Sequence, residues 1–170
     1  SIFPNLLTSI NININRLYNN GKLFEVGPQY SGFKEEDQQM VASGIQYGTV
    51  HTETWGDEKR MSDVFDVKSD VYFVLDQLNV PVDKVLYEES DNNFFHPGKS
   101  ARLRIGKSIL AQFGEIHPFI LQKFEINTNV SGFEILLDQV SQFQLKITST
   151  KKAYDNNDLQ AIERDFAFLF

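Results

Sequence analysis

Two five- to six-residue runs flank a two-residue turn in the middle of this chain, and they constrain the fold more than any other feature. Ala101 to Ile105 places Arg102 and Arg104 on one face and Leu103 and Ile105 on the other. Gly106-Lys107 then supplies a tight turn, and Ser108 to Phe113 returns. Strands joined so closely must pair antiparallel. Further strands are predicted over Lys22 to Val26, ended by Gly27-Pro28, and over Met40 to Tyr47, Val85 to Glu89 and Gly132 to Asp138, with Gln142 to Ile147 as a further candidate. Between them, Val64, Val67, Val71, Val74, Leu75 and Leu78 form a helical stripe that Ser62 or Asp63 can cap. A short helix is predicted near Phe119 to Phe124, between two strand regions. Elements in this order, with no regular strand–helix–strand alternation, predict an α+β fold with a mainly antiparallel sheet.

The first segment reads two ways. Phe3, Leu6, Leu7, Ile10, Ile14 and Leu17 fall at helical spacing, and Pro4 suits a first turn. Ile10 to Asn15 also alternates Ile and Asn with period two, which is a strand pattern. Asn19-Asn20-Gly21 closes the element, with Gly21 available for a left-handed position. Phe33 to Gln39 and His51 to Ser62, which holds the single Trp55, read as polar loops. Lys151 to Asp158 reads as a linker, and Ile162 to Phe170 as a strand beyond it. The abrupt apolar start after Ser1 and the strand-like last residues suggest a piece of a longer protein.

Composition removes several functions. The 170 residues include no Cys, so disulfide, thiolate and iron–sulfur chemistry are excluded. Acidic residues outnumber basic ones, 23 to 16, which argues against coating nucleic acid by bulk positive charge. No apolar run is long enough to span a membrane as a helix, and no signal-peptide pattern is present, so the expected location is cytoplasmic.

Candidate chemical groups are few. His96 lies in Phe94-Phe95-His96-Pro97-Gly98, and His117 in Gly114-Glu115-Ile116-His117-Pro118. With Glu115 they suggest a metal site or an acid–base pair; alternatively each is a turn whose imidazole bonds backbone, which the lack of metal-motif spacing favours. Gly106-Lys107-Ser108 lacks the upstream glycine of a phosphate loop. Glu35-Glu36-Asp37 and Glu88-Glu89-Ser90-Asp91 do not match a calcium loop. Lys99, Arg102, Arg104 and Lys107 form the one positive concentration. They are candidates to touch an RNA backbone, or else to pair across a sheet with Glu88, Glu89 or Asp91.

Several motifs in order resemble the β-subunit family of bacterial phenylalanine–tRNA ligase. They are Ser1-Ile2-Phe3-Pro4-Asn5-Leu6-Leu7, Leu23-Phe24-Glu25-Val26-Gly27, and Trp55 followed by Val64-Phe65-Asp66-Val67-Lys68-Ser69-Asp70-Val71. The fourth is His96-Pro97-Gly98-Lys99-Ser100 followed by Gly114-Glu115-Ile116-His117-Pro118, and the fifth is Arg164-Asp165-Phe166-Ala167-Phe168. The resemblance implies a class II synthetase-like core over residues 1–158, then a linker and the first strand of an anticodon-binding domain over 159–170. It implies that the first segment is helical and lies at a subunit interface, so its apolar face is the expected contact with the catalytic α subunit of an α2β2 enzyme. It implies no catalytic, cofactor-binding or metal residue in this chain, with ATP and magnesium serving the holoenzyme and tRNA reached through it. The sequence agrees: no Arg follows Leu23 to Gly27, and Gly132-Phe133-Glu134-Ile135-Leu136 lacks the Gly-x-Gly and Glu-Arg of an active core.

Overall fold

The computed structural model describes residues 2–30, 32, 34, 37–50, 60–144, 164 and 167. Trp55, His51, the predicted linker at 151–158, residues 145–147 of the candidate strand and nearly all of the predicted last strand lie outside that set.

Helix α1 spans Phe3–Asn15 and settles the ambiguous segment as a helix. The Ile-Asn alternation yields because Phe3, Leu6, Leu7 and Ile10 form one stripe that buries, while no neighbouring strand pairs with Ile10 to Asn15. Asn15 Nδ2 donates to Asn11 Oδ1 at 2.8 Å along the outer face. The left-handed residue after the helix is Leu17, at φ 68, and not Gly21, which opens the next strand.

Strands β1 (Gly21–Tyr30), β2 (Gln38–Tyr47), β3 (Leu86–Glu89), β4 (Phe95–Ile105), β5 (Ser108–Ile116) and β6 (Val130–Leu136) form one antiparallel sheet in the order β1-β2-β6-β5-β4-β3. The strands predicted around Lys22 to Val26, Met40 to Tyr47, Val85 to Glu89, Ala101 to Ile105, Ser108 to Phe113 and Gly132 to Asp138 are present, and several are longer than the residues suggest. Strand β1 does not stop at Gly27-Pro28. Pro28 sits opposite Met40 at the sheet's edge, where a missing N–H is tolerated. Strand β4 begins at Phe95 and carries His96-Pro97-Gly98 within a register shift between Phe95 and Ser100. Strand β5 runs through Gly114 and Glu115 to Ile116. Asp138 falls in a short helix, α4 (Leu137–Val140), and Ser141–Phe143 is a single 3-10 turn rather than a strand.

Gly106 takes φ 59 in the two-residue turn that joins Ile105 to Ser108. A different constraint acts at Gly114. A Cβ there would lie 2.5 Å from the Ser100 Cβ and 2.8 Å from the Lys99 carbonyl oxygen. Only hydrogen fits between β5 and the bulged start of β4.

Helix α2 (Val64–Gln77) is set by its first turn. Asp63 accepts from Phe65 N and Asp66 N, and Asp66 accepts in return from Asp63 N. Arg60 grips Asp66 through both oxygens, at 2.6 and 2.8 Å. Val67, Val71 and Leu75 bury against Leu103, Leu110, Ala111, Phe113 and Ile135 on one face of the sheet. On the other face α1 and α3 (Pro118–Lys123) pack over Val41, Ile45, Tyr47, Phe95, Ile116 and Val130.

Two outcomes follow. Gly114→Ala should destabilise the chain by about 1–3 kcal/mol, because the obstructing atoms include backbone; urea unfolding measures it. The Arg60 hydrogen bond holds the Asp66 carboxyl below its ordinary range. Its contribution is therefore complete above about pH 5 and disappears as pH falls through the lowered folded-state value. Arg60→Met should flatten that acid limb of the urea midpoint while lowering stability at neutral pH.

Candidate functional site

The groups that carry charge or polarity lie in one row across the sheet. Ser43 of β2 faces Glu134 of β6, which faces Gln112 of β5, then Arg102 of β4, then Glu88 of β3. They share the face that α1 covers at its β2 end. The row is a consequence of register, since directly opposed residues in a ladder point to the same side.

Its two halves differ in chemistry. Toward β3 the charges are matched. Glu88 receives Arg102 at 2.7 Å and Arg104 at 2.5 Å, and Asp91 receives Arg102 at 2.8 Å. Arg104 also donates to the Gly106 carbonyl oxygen. Lys99 holds both oxygens of Glu115, at 2.9 and 2.8 Å, and Lys107 stands exposed in the turn. The four residues of the sequence's basic strip are thus brought to one end of the sheet, but Lys99, Arg102 and Arg104 are committed to carboxylates of the same chain.

Toward β2 the row is buried and under-satisfied. Glu134 is only 5% exposed. Gln112 Nε2 donates to its Oε2 at 3.0 Å, while Gln112 Oε1 accepts from Asn92. Oε1 of Glu134 and Oγ of the fully buried Ser43 have no hydrogen-bond partner among the described residues. A buried carboxylate without a cation is costly. The sequence reading missed Glu134; its one signal was an acidic residue in an otherwise apolar strand.

Each histidine turn closes on its own backbone. His96 Nδ1 accepts from Gly98 N at 3.1 Å, and His117 Nδ1 accepts from Phe119 N at 3.2 Å. The rings stack 6.4 Å apart. No group of three metal-ligating side chains occurs among the described residues. The structure brings His96 and His117 together, while Glu115 is held by Lys99.

Most of the expected partner surface is inside this chain's own core. Phe3, Leu6, Leu7 and Ile10 are at most 5% exposed within this chain's own core, and Ile14 packs partly against it. Leu17 alone of the six is fully outside, 83% exposed. Open apolar surface lies instead on the opposite sheet face. There β1 and α2 border a cleft of about 410 Å³ lined by Phe24, Val26, Gly44, Phe73, Val74 and Phe133. Phe24 and Phe73 are 80% and 65% exposed. Lys22 and Asp70 join its two walls at 3.1 Å. Helix α2 covers β5 and β6 on this face and leaves Phe24 and Val26 of β1 exposed.

Glu134→Gln should raise stability, since the amide keeps the shape and removes an uncompensated buried charge. An upward shift of the urea midpoint at pH 7 is the expected result; a fall would mean that the carboxylate is stabilised where it stands.

Comparison with known proteins agrees with the motifs. Residues 1–137 match the model of the phenylalanyl tRNA synthetase beta chain CLM domain. The chain is 34% identical to a phenylalanine–tRNA ligase beta subunit of Paramagnetospirillum magneticum over 168 residues, 99% of this chain and 21% of that protein. It is 35% identical to the Bartonella quintana beta subunit over 174 residues, 99% of this chain and 22% of that one. It therefore spans about a fifth of the length of these curated relatives. Among solved structures, the Desulfitobacterium hafniense pyrrolysyl tRNA synthetase PylSc superposes with a TM-score of 0.57 at 18% identity, covering 82% of this chain and 47% of the other, a likeness of fold. The matched sequence and the six-stranded α+β fold lead to one assignment: this chain belongs to the phenylalanyl tRNA synthetase beta chain CLM domain family.

Proposed function

We propose that this chain is the non-catalytic, class II synthetase-like core of a cytoplasmic phenylalanine–tRNA ligase β subunit. In this reading it carries no chemistry of its own. It holds the β subunit together and pairs with a catalytic α subunit in an α2β2 enzyme that charges tRNA with phenylalanine. The core occupies residues 1–158, and 159–170 lead into an anticodon-binding domain.

One observation carries the non-catalytic reading. Binding a nucleoside triphosphate in its reactive geometry requires cations aimed at the phosphates. Arg102 and Arg104, the arginines on the described strands, are neutralised by Glu88 and Asp91. Strands β1 and β6 contain no Arg, and the centre of the row presents Glu134. A carboxylate there repels triphosphate. The residues present do not fit ATP with magnesium, so that chemistry falls to the α subunit.

The bare cleft at β1 and α2 supports the pairing role. Exposed aromatic side chains around a concave apolar surface are the composition of an interface core. Strand β1 also has an unpaired edge, which a partner can cover. The α subunit is the occupant the family reading supplies.

Light scattering after size exclusion tests this with the full-length β and α subunits. Phe24→Asp with Phe73→Ser should abolish co-elution, while Ile12→Asp on the outer side of α1 should leave it intact. Retained co-elution of the double variant would remove the cleft as the α-subunit surface. For the non-catalytic reading, the chain without α subunit should show no phenylalanine-dependent exchange of pyrophosphate into ATP. Exchange above background would overturn that reading independently.

A further inference from the structure

The two histidine turns are copies of one device. In His96-Pro97-Gly98 and in His117-Pro118-Phe119, proline has no N–H to offer, so the first amide within reach of the imidazole is that of the third residue. Each ring takes that amide through Nδ1, at 3.1 and 3.2 Å. Ladder pairing then brings the copies together. Phe95 pairs with Ile116 one residue before each histidine, and the rings lie 6.4 Å apart with planes 26° from parallel.

This arrangement fixes the chemistry of the outer nitrogens. An imidazole whose Nδ1 accepts an amide hydrogen carries its own proton on Nε2. Both rings therefore present N–H donors, and neither Nε2 has the lone pair that a metal ligand needs. Donors on two rings whose centroids lie 6.4 Å apart, with no described acceptor, suit an oxyanion, whose hydrogen bonds to N–H groups are the stronger charge-assisted kind.

The surrounding charges permit it. Lys99 of β4 neutralises Glu115 of β5. From α3, Lys123 has no ion pair among the described residues and lies 4.6 Å from the centroid of the Phe119 ring, which is 59% exposed. The rings are partly exposed, and Pro97, Gly98 and Pro118 beside them are exposed.

We propose that His96 and His117 together form a binding site for phosphate oxygens, separate from the row centred on Glu134 and from the cleft at β1. The phosphate belongs either to a single-stranded RNA backbone, whose neighbouring base can stack on Phe119, or to a small phosphate.

Imidazole nitrogen resonances of the full chain test it. Inorganic phosphate should shift Nε2 of both His96 and His117 along one saturable curve that sodium chloride of equal ionic strength does not reproduce. His96→Asn and His117→Asn keep an acceptor for the turn amide and remove the outer donor. Each should weaken phosphate binding about 10-fold, with the urea midpoint little changed. A single-stranded oligoribonucleotide forms the second arm. Binding that is lost in both Asn variants and weakened by Phe119→Ala identifies RNA as the source. Phosphate binding without oligonucleotide binding identifies a small phosphate. Absence of a saturable shift in both arms, or undiminished binding in both Asn variants, would overturn the site.

Discussion

Insertion of β6 between β2 and β5 is the constraint on which the rest of this molecule depends. Strands β1 and β2 pair as one ladder, and β3, β4 and β5 as another; neither ladder by itself buries both faces. Strand β6 joins them, although it pairs with β2 from some ninety residues further along the chain. Closing so long a loop costs configurational entropy before any contact is made. The return is burial on both sides at once. Val130 and Ile135 of β6 are fully buried, one in each of the two apolar clusters.

That central position also explains the polar row. A residue on β6 has little access to water whichever face it points to. Glu134 and Ser131 are buried for this reason, and neither brings a cation with it. At the outer strands the same row is wetter, so Arg102, Arg104 and Glu88 form ion pairs with solvent nearby. Exposed pairs of this kind contribute modestly to stability. Their larger effect is to cancel the positive charge that the sequence alone displays.

Helix coverage divides the surface into used and unused parts. Helix α1 spends its apolar stripe on the core, while α2 stops short of β1 and leaves Phe24, Val26 and Phe73 in the open. Apolar periodicity announces that a helix has a face to bury. It carries no information on whether sheet or partner does the burying: Phe3, Leu6, Leu7 and Ile10 bury against this chain's own sheet. The cleft residues gave no periodic signal that distinguishes them from core, since Phe24 and Val26 alternate like any half-buried strand.

Local chemistry was legible from the residues. The capping box at Asp63, the turn at Gly106, the stripe of α2 and the His-Pro turns each depend on side chains a few positions apart. Their bonds form whatever the rest of the chain does. The family, too, was readable, because short motifs persist in order. Strand ends were less so: Pro28 ends a strand in the interior and is accommodated at an edge, and only the sheet order makes β1 an edge. The burial of Glu134, the pairing of Arg102 with Glu88, the stacking of His96 on His117 and the bare cleft were decided by tertiary structure. Each joins residues brought together by strand register or helix placement, and those are fixed by burial over the whole sheet rather than by any local sequence.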